Sequence, residues 1–246
     1  MNTRSYRTYQ VLILAALGLF LMSKVVDGRI LLYINPRFVL LVLLAGVGLV
    51  ALAQVILRER SSADSSGDED SSHHHASGSS RTWTLWLLAL PILLGLLIPE
   101  RPLGASTLQN RGINTGAGLT ARSGDAAQAV AVPPQQRTVL DWIRVTNEGA
   151  LAAGDTADVT GFVYHDPRLE PGQFLVGRFS IACCVADAVA LGMIVDWEDA
   201  AGLPDNRWVR VRGRVQPFEL DGRTLPLIEV EQVDLIPAPE QPYLFP

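Results

Sequence analysis

The sequence predicts membrane-anchored helices followed by an all-β domain, and three observations support this fold class. Nearly continuous apolar runs occupy the first hundred of the 246 residues. Two polar stretches rich in Ser, Gly or Ala interrupt the chain after the second and third of these runs. From residue 157 onward, apolar and polar residues alternate with the period of two that is typical of half-buried strands. We therefore expect about three N-terminal transmembrane helices followed by a small five-stranded OB-like β-barrel domain.

Three apolar runs, at about 6–26, 37–57 and 82–98, are predicted to span a membrane. About 20 apolar residues suffice, because each helical residue advances ~1.5 Å across a hydrocarbon core of ~30 Å. The first run also has the basic start of a secretory signal, but no small-x-small cleavage site follows it, which favours a retained anchor. A core helix of a soluble protein is the alternative for the first and third runs. Residues 1–100 are accordingly predicted to form a multi-pass membrane domain.

Two further segments are predicted to lack a packed core. Residues 58–81 consist mainly of Ser, Gly and acidic residues, which predicts a disordered loop within the membrane domain. Its histidine tract at 73–75 has the composition of a weak metal-collecting site, although a solvated tract with incidental histidines is the simpler interpretation. Residues 101–136 are rich in Gly, Ala, Ser and Gln, which predicts a flexible linker to a soluble β domain at 137–246.

The basic residues of the chain do not decide the orientation of the three predicted spans. Five Lys or Arg residues flank the spans on one side and five on the other, whereas the positive-inside rule needs an excess on one side. We expect the N-terminus on the cytoplasmic side of the cell membrane and the C-terminal domain on the extracytoplasmic side. The apolar centres of the spans lack the charged residues that mark a transport path, so these helices are expected to act as an anchor.

The β domain is predicted to begin with a short helix. Thr138 and Asp141 have the spacing of a capping box, and Gly149 is a typical helix stop. Five strand-like runs follow, separated by Gly, Pro and Asp clusters, at 157–166, 173–186, 188–197, 207–217 and 225–236. The pattern Val-x-Gly-x-Val occurs at Gly161 and Gly213, and such glycines mark the bulges that close small barrels. A small β-sandwich is the alternative architecture.

An arginine stripe is predicted on one face of the fourth strand-like run, "RWVRVRGRV". The stripe consists of Trp208, Arg210, Arg212 and Arg214. Such a stripe on an OB-like barrel is a feature of nucleic-acid binding. The charge of the domain argues against that function, since residues 139–246 contain 17 acids, 8 arginines and no lysine. Glu229 and Glu231 on the next run can pair across to the arginines, so a solvated ladder of ion pairs is the simpler interpretation.

The two cysteines of the chain are adjacent, in the stretch "FSIACCVADA". If the strand predicted at 173–186 is straight, Cys183 lies on its apolar face and is buried. Cys184 then lies among small residues on the other face, and a turn starting there would bring it close to Asp187. We therefore expect Cys183 to be structural, and Cys184 with Asp187 to form a functional pair.

Four chemistries are compatible with the cysteine pair. Buried thiols can serve simply as small apolar side chains, and adjacent thiols can act as a redox pair or a vicinal disulfide, although adjacent residues rarely meet disulfide geometry. A metal site, with zinc as the candidate ion, would use Cys183, Cys184, Asp187 and His165. A catalytic cysteine is the fourth, but no activating partner is evident. No phosphate loop or nucleophile elbow occurs either, so the chain is not expected to be an enzyme.

Four segments of the C-terminal part resemble the YcgQ-like family of bacterial membrane proteins. These segments are "GFVYHD", "RFSIACCVADA", "RWVRVRGRV" and "PYLFP", and the Cys-Cys-x-Ala-Asp-Ala motif is the specific one. The resemblance covers residues 138–246 closely and the first hundred residues in layout. It implies N-terminal spans and a separate multi-span permease as the partner, and it supplies no catalytic residues.

These observations favour an accessory subunit of a membrane transport complex, with the β domain as a docking or sensing module. The alternative is a metal-binding or redox membrane protein that acts through Cys183 and Cys184. An OB-type nucleic-acid binder is the third possibility, and the acidic domain makes a nucleic-acid partner unexpected.

Overall fold

The computed structural model describes residues 3–63, 78–112 and 128–246. The chain divides into two compact units, Met1–Arg101 and Pro102–Pro246. Most of the loop predicted at 58–81, including the histidine tract, lies outside the described residues.

Among the described residues, the first unit contains three long helices. They are α1 (Thr3–Val26), α2 (Val39–Ala63) and α3 (Gly78–Leu97). Two segments, Thr8–Val26 and Pro36–Glu59, are long and apolar enough to cross a membrane, by length and composition. The third predicted span is helical over most of its length and contains Pro91, and its crossing of a membrane stays a prediction.

Small residues allow the helices of the first unit to approach closely. A Cβ atom on Gly18 of α1 would lie 2.7 Å from the carbonyl oxygen of Gly46 on α2, so glycine is required for this contact. The ring of Phe20 on α1 lies against Gly95 on α3. Beyond α3, the Glu100 carboxylate pairs with Lys24 at the end of α1. The C-terminal ends of α1 and α3 therefore lie together.

The second unit contains a closed five-stranded barrel. Its strands are β1 (Thr156–Tyr164), β2 (Gln173–Ser180), β3 (Val189–Asp196), β4 (Trp208–Leu220) and β5 (Arg223–Leu235). The strands follow one another around the barrel in the order β1-β2-β3-β5-β4, and β4 pairs again with β1. Only β3 and β5 run parallel among these neighbours. A short strand that the sequence did not predict, β6 (Tyr243–Leu244), adds to β2 in parallel.

The two predicted glycine positions close the barrel. β1 pairs with β2 over its last three residues and with β4 over the rest, and Gly161 lies next to the crossover. A Cβ atom there would lie 2.6 Å from the carbonyl oxygen of Gly177, so a larger residue would push β1 and β2 apart. At Gly213 the register of β4 against β5 shifts by a bulge, as the glycine pattern predicted.

The interior of the barrel is apolar and is covered by the predicted helix. Alternate residues of β1 to β5 form this core together with α5 (Val139–Asn147). Thr138 and Asp141 make the predicted capping box at its start. Gly149 has φ of 68° and donates its N–H to the Thr146 carbonyl, which ends the helix. Trp142 of α5 is fully buried in the core.

A second apolar layer covers the outside of the barrel, and it includes the start of the segment predicted as a linker. The start of the segment predicted as a flexible linker at 101–136 instead forms α4 (Ala105–Arg111). Leu108 of α4 is buried against Phe162, Phe179 and neighbouring side chains. Near the other end of the segment, Ala129 is also buried. Composition alone could not show this, because the contacts that order the segment come from residues far away in the sequence.

Candidate functional site

The two cysteines lie on a turn between β2 and β3, and their position corrects the predicted strand. Pairing of β2 with β3 ends at Ser180 opposite Val189, so the strand predicted at 173–186 is too long by six residues. Residues 181–188, here called the cysteine turn, follow it and include a single 3-10 turn at Val185–Asp187. Strand alternation therefore stops before it reaches the cysteines.

The expectation that Cys183 is a buried core residue is wrong. The Cys183 side chain is exposed and that of Cys184 is half-buried. Ile181 is the last residue that continues the buried pattern, and its N–H bonds to the Leu244 carbonyl of β6. Regular pairing of β2 with β3 has already ended at Ser180, so strand alternation no longer decides which side chains are buried.

Asp187 organises the cysteine turn. One carboxylate oxygen accepts the backbone N–H of Cys183 at 2.7 Å, and the other accepts that of Ala182 at 3.2 Å. The Asp187 N–H in turn donates to the Cys184 carbonyl at 3.0 Å. Partial burial opposes ionisation of Asp187, but hydrogen bonds from the Cys183 thiol and the backbone outweigh it, so the pKa of this carboxyl lies below its usual value. The charged form of Asp187 thus holds the turn.

The two thiols face each other on this turn. Their sulfur atoms lie 3.7 Å apart, and both are free thiols. The hydrogen bond to the Asp187 carboxylate, followed by that to Cys184, raises the pKa of the Cys183 thiol to about 11. A nucleophilic cysteine needs a lowered pKa, so this environment disfavours a catalytic thiolate at Cys183.

The last residue of helix α4 makes hydrogen bonds to the C-terminal part of the cysteine turn. The guanidinium of this residue, Arg111, donates to the Ala188 carbonyl at 2.7 Å and to the Val185 carbonyl at 3.4 Å. These carbonyls belong to the 3-10 turn and to the residue that follows it. The position of the thiols is therefore coupled to the packing of α4 on the barrel.

His165, the fourth predicted metal ligand, makes other contacts. Its Nδ1 lies 2.9 Å from Asp205 Oδ1, and its Nε2 lies 3.1 Å from the Ala200 carbonyl oxygen. Both ring nitrogens thus face acceptors of the barrel. Within residues 3–63, 78–112 and 128–246, no group of three or more His, Cys, Asp or Glu side chains could hold a metal ion. The structure brings together Cys183, Cys184 and Asp187, while His165 is engaged elsewhere.

The arginine stripe forms a ladder of ion pairs, as the charge pattern predicted, but its partners are Asp158, Asp234 and Glu231 rather than the predicted Glu229 and Glu231. Arg210 makes a bidentate pair with Asp158 on β1, with both distances 2.6 Å. The next rung joins Arg212 to Asp234 at 3.2 Å, and the last joins Arg214 to Glu231 at 3.2 Å. The Arg210 hydrogen bond is the main reason why the pKa of Asp158 lies below its usual value. Carboxylates on the neighbouring strands β1 and β5 thus pair with the arginines of the stripe.

Arg178 is a feature of the site region that sequence reasoning missed. It is buried at the seam where β1 leaves β2 and donates to the Thr160 carbonyl at 3.3 Å and to the Gln241 carbonyl at 3.1 Å. Its guanidinium stacks 5.1 Å from the Trp208 ring. Burial lowers the pKa of Arg178 to about 10. A lone arginine within the apolar run "FLVGRFS" was the signal that could have indicated it.

The fold and the site together define a class of chain in which apolar helices of membrane-spanning length precede a closed β-barrel with an exposed dithiol turn. Residues 9–114 match the DUF1980 N-terminal domain, and residues 141–246 match the DUF1980 C-terminal domain. The chain belongs to the DUF1980 family, which confirms the YcgQ-like resemblance carried by the cysteine motif.

Two relatives illustrate the breadth of this family. The "UPF0703 protein YcgQ" of Bacillus subtilis is 31% identical over 97 residues, which cover 37% of this chain and 33% of that protein. The "Putative two-component membrane permease complex subunit" of Streptococcus mutans is 24% identical over 196 residues, which cover 65% of this chain and 72% of that protein. The match to YcgQ thus spans about a third of that relative's length.

Proposed function

We propose that this chain is an accessory subunit of a membrane transport complex. The single observation that carries the proposal is the match of 196 residues to a Streptococcus mutans protein named as a subunit of a membrane permease complex. The partner is a multi-span permease, which supplies the transport path that the present helices lack. The barrel is the docking or sensing module of the complex.

The chain is a multi-pass protein of the cell membrane with three spans. Two helices have the length and composition of spans. Because Glu100, just beyond α3, pairs with Lys24 near the end of α1, these two helices end at the same side of the unit. If α1 crosses the bilayer, α3 crosses it in the same direction. The C-terminal domain is then extracytoplasmic, given an N-terminus inside the cell.

The barrel is of the OB type, but it does not bind nucleic acid. The order β1-β2-β3-β5-β4, with β1 paired on both sides, supports the fold assignment. Phosphate binding needs cationic groups that are available to the backbone of the nucleic acid. The carboxylates of Asp158, Asp234 and Glu231 instead occupy the arginine stripe.

Recovery of the partner from native membranes tests the role of the chain. The tagged full-length chain is expected to bring down one multi-span membrane protein in near-stoichiometric amount after mild detergent extraction. A shortened chain ending at residue 101 serves as the matched control, and it is expected to lose that protein because the docking barrel is missing. Equal recovery of the partner by both chains would contradict the docking role of the barrel. If no multi-span protein is recovered with the full-length chain in near-stoichiometric amount, the proposal of an accessory subunit is wrong.

Labelling of single cysteines tests the three-span topology. Ser66→Cys and Glu198→Cys are each placed in a chain in which Cys183 and Cys184 are replaced by Ser. With three spans, a membrane-impermeant maleimide added to intact cells labels the cysteine at 198 and leaves that at 66 unlabelled until the cells are opened. Labelling of both from the same side contradicts the topology.

A further inference from the structure

We propose that Cys183 and Cys184 form a two-thiolate half-site for a divalent thiophilic cation of the zinc class, with two coordination positions left open to water. The half-site does not depend on the transport role, and it differs from the four-ligand site expected from the sequence, because it uses neither His165 nor Asp187 as a ligand.

The separation of the two sulfur atoms carries the inference. A zinc–sulfur bond of about 2.3 Å and a tetrahedral angle place two thiolate sulfurs about 3.8 Å apart. The Sγ atoms of Cys183 and Cys184 lie 3.7 Å apart, so an ion that displaces the thiol protons can bind both sulfur atoms with little movement of either. A disulfide needs sulfur atoms about 2.0 Å apart and usually Cα atoms at least about 4.4 Å apart. Adjacent residues joined by a trans peptide are limited to about 3.8 Å between Cα atoms, so an ion fits this pair better than a disulfide bond.

The position of the pair leaves room for an ion. Cys183 is exposed and Cys184 is half-buried, so a hydrated cation can reach both sulfur atoms from one side. Buried thiols that act only as small apolar side chains would not be displayed in this way.

The surroundings of the turn hold the two thiols in place before an ion arrives. Asp187 binds the backbone N–H groups of Ala182 and Cys183, and Arg111 binds the carbonyl groups of Val185 and Ala188. A site whose ligands are held by such contacts loses less conformational entropy when it binds. The negative charge of Asp187 lies on the same turn and attracts a cation. Asp187 is therefore a positioning residue of the half-site.

Cobalt(II) serves as the probe, because thiolate ligands give it a near-ultraviolet charge-transfer absorption that histidine and water do not. The full-length chain is used in detergent under reducing conditions. The histidine tract at 73–75 is replaced by alanines in every variant, so that it cannot compete for the metal. Zinc is then added to displace the cobalt and to report its own affinity.

The expected result is one cobalt per chain with the absorption of two thiolates. Cys183→Ser and Cys184→Ser should each lower the charge-transfer intensity by about half, and the double variant should abolish it. His165→Ala is the matched control and should leave both intensity and affinity unchanged. Unaltered circular dichroism of each variant shows that the barrel is intact.

Three outcomes would overturn the half-site. The first is a charge-transfer band that persists in the double cysteine variant. The second is loss of binding in His165→Ala with an intact fold, which would restore a site built from more distant ligands. The third is a reduced wild-type chain that takes up neither cobalt nor zinc.

Discussion

The side chain of Asn206 accepts the backbone N–H of Ala105 at 2.7 Å, and thereby caps helix α4 from the loop before β4. Asn206 also has a positive φ of 66°, which asparagine tolerates better than most residues. Asn206 thus has two roles. It adopts a left-handed backbone conformation, and its side chain caps helix α4, whose own N-cap residue, Gly104, makes no side-chain hydrogen bond.

Two substitutions at Asn206 should separate these roles. Asn206→Gly loses only the acceptor for Ala105 and should lower the free energy of unfolding by about 1 kcal/mol. Asn206→Ala also forces alanine into the left-handed region and should cost about 1–2 kcal/mol more. Chemical denaturation of both variants measures the difference. Equal loss of stability in the two variants would mean that the backbone conformation contributes nothing.

The boundary of the folded β domain should lie before α4. A chain of residues 102–246 is expected to unfold cooperatively in water, whereas residues 137–246 alone should be less stable because they lack Leu108. Within 102–246, Leu108→Ala should cost about 2–5 kcal/mol, since this side chain is almost completely buried. Thermal melts of the three proteins provide the test. Equal melting temperatures for 102–246 and 137–246 would show that α4 does not contribute to the core.

The pairing of Asp158 with Arg210 should make stability depend on pH. The folded pKa of Asp158 is lowered, mainly by the Arg210 hydrogen bond. Its contribution is therefore fully present above the usual carboxyl pKa of about 4 and is lost as the pH falls through the lower folded value. Because both side chains are partly exposed, the effect should be only about 0.5–1 kcal/mol.

Asp158→Asn tests this dependence by urea unfolding between pH 7 and pH 3. It should reduce stability at pH 7, and the difference from wild type should shrink towards pH 3 as Asp158 is protonated. Glu231→Gln is the control, since the Arg214–Glu231 pair is more exposed and should contribute less. A difference between wild type and Asp158→Asn that stays constant down to pH 3 would contradict the assignment.

Removal of the Asp187 charge should make Cys183 more acidic. The hydrogen bond to this carboxylate is the largest cause of the raised pKa of Cys183, which is about 11. In a Cys184→Ser background, Asp187→Asn should therefore move the pH midpoint of alkylation of Cys183 towards the ordinary thiol value. Iodoacetamide rates measured across pH, with Cys184→Ser alone as the reference, report the shift. An unchanged midpoint would show that Asp187 does not control this thiol.

The sequence by itself determined the elements whose signals are local. The capping box of Thr138 and Asp141 and the stop at Gly149 lie within or next to the helix that they delimit. Alternation located the five strands, because the period of two follows from strand geometry wherever one face is buried. Gly161 and Gly213 were informative since close backbone approach and a bulge both exclude most side chains.

Only the tertiary structure decided where β2 ends and where the cysteines lie. The letters of "FSIACCVA" continue an apolar pattern, but a strand lasts only as long as a neighbour pairs with it, and pairing with β3 ends at Ser180. The same reason applies to α4, whose burial depends on the barrel surface around Phe162. It applies as well to Arg178, which is buried because the carbonyl groups of Thr160 and Gln241 converge on it. Long-range contacts of this kind leave no periodic signal in the sequence, since the residues that make them are far apart along the chain.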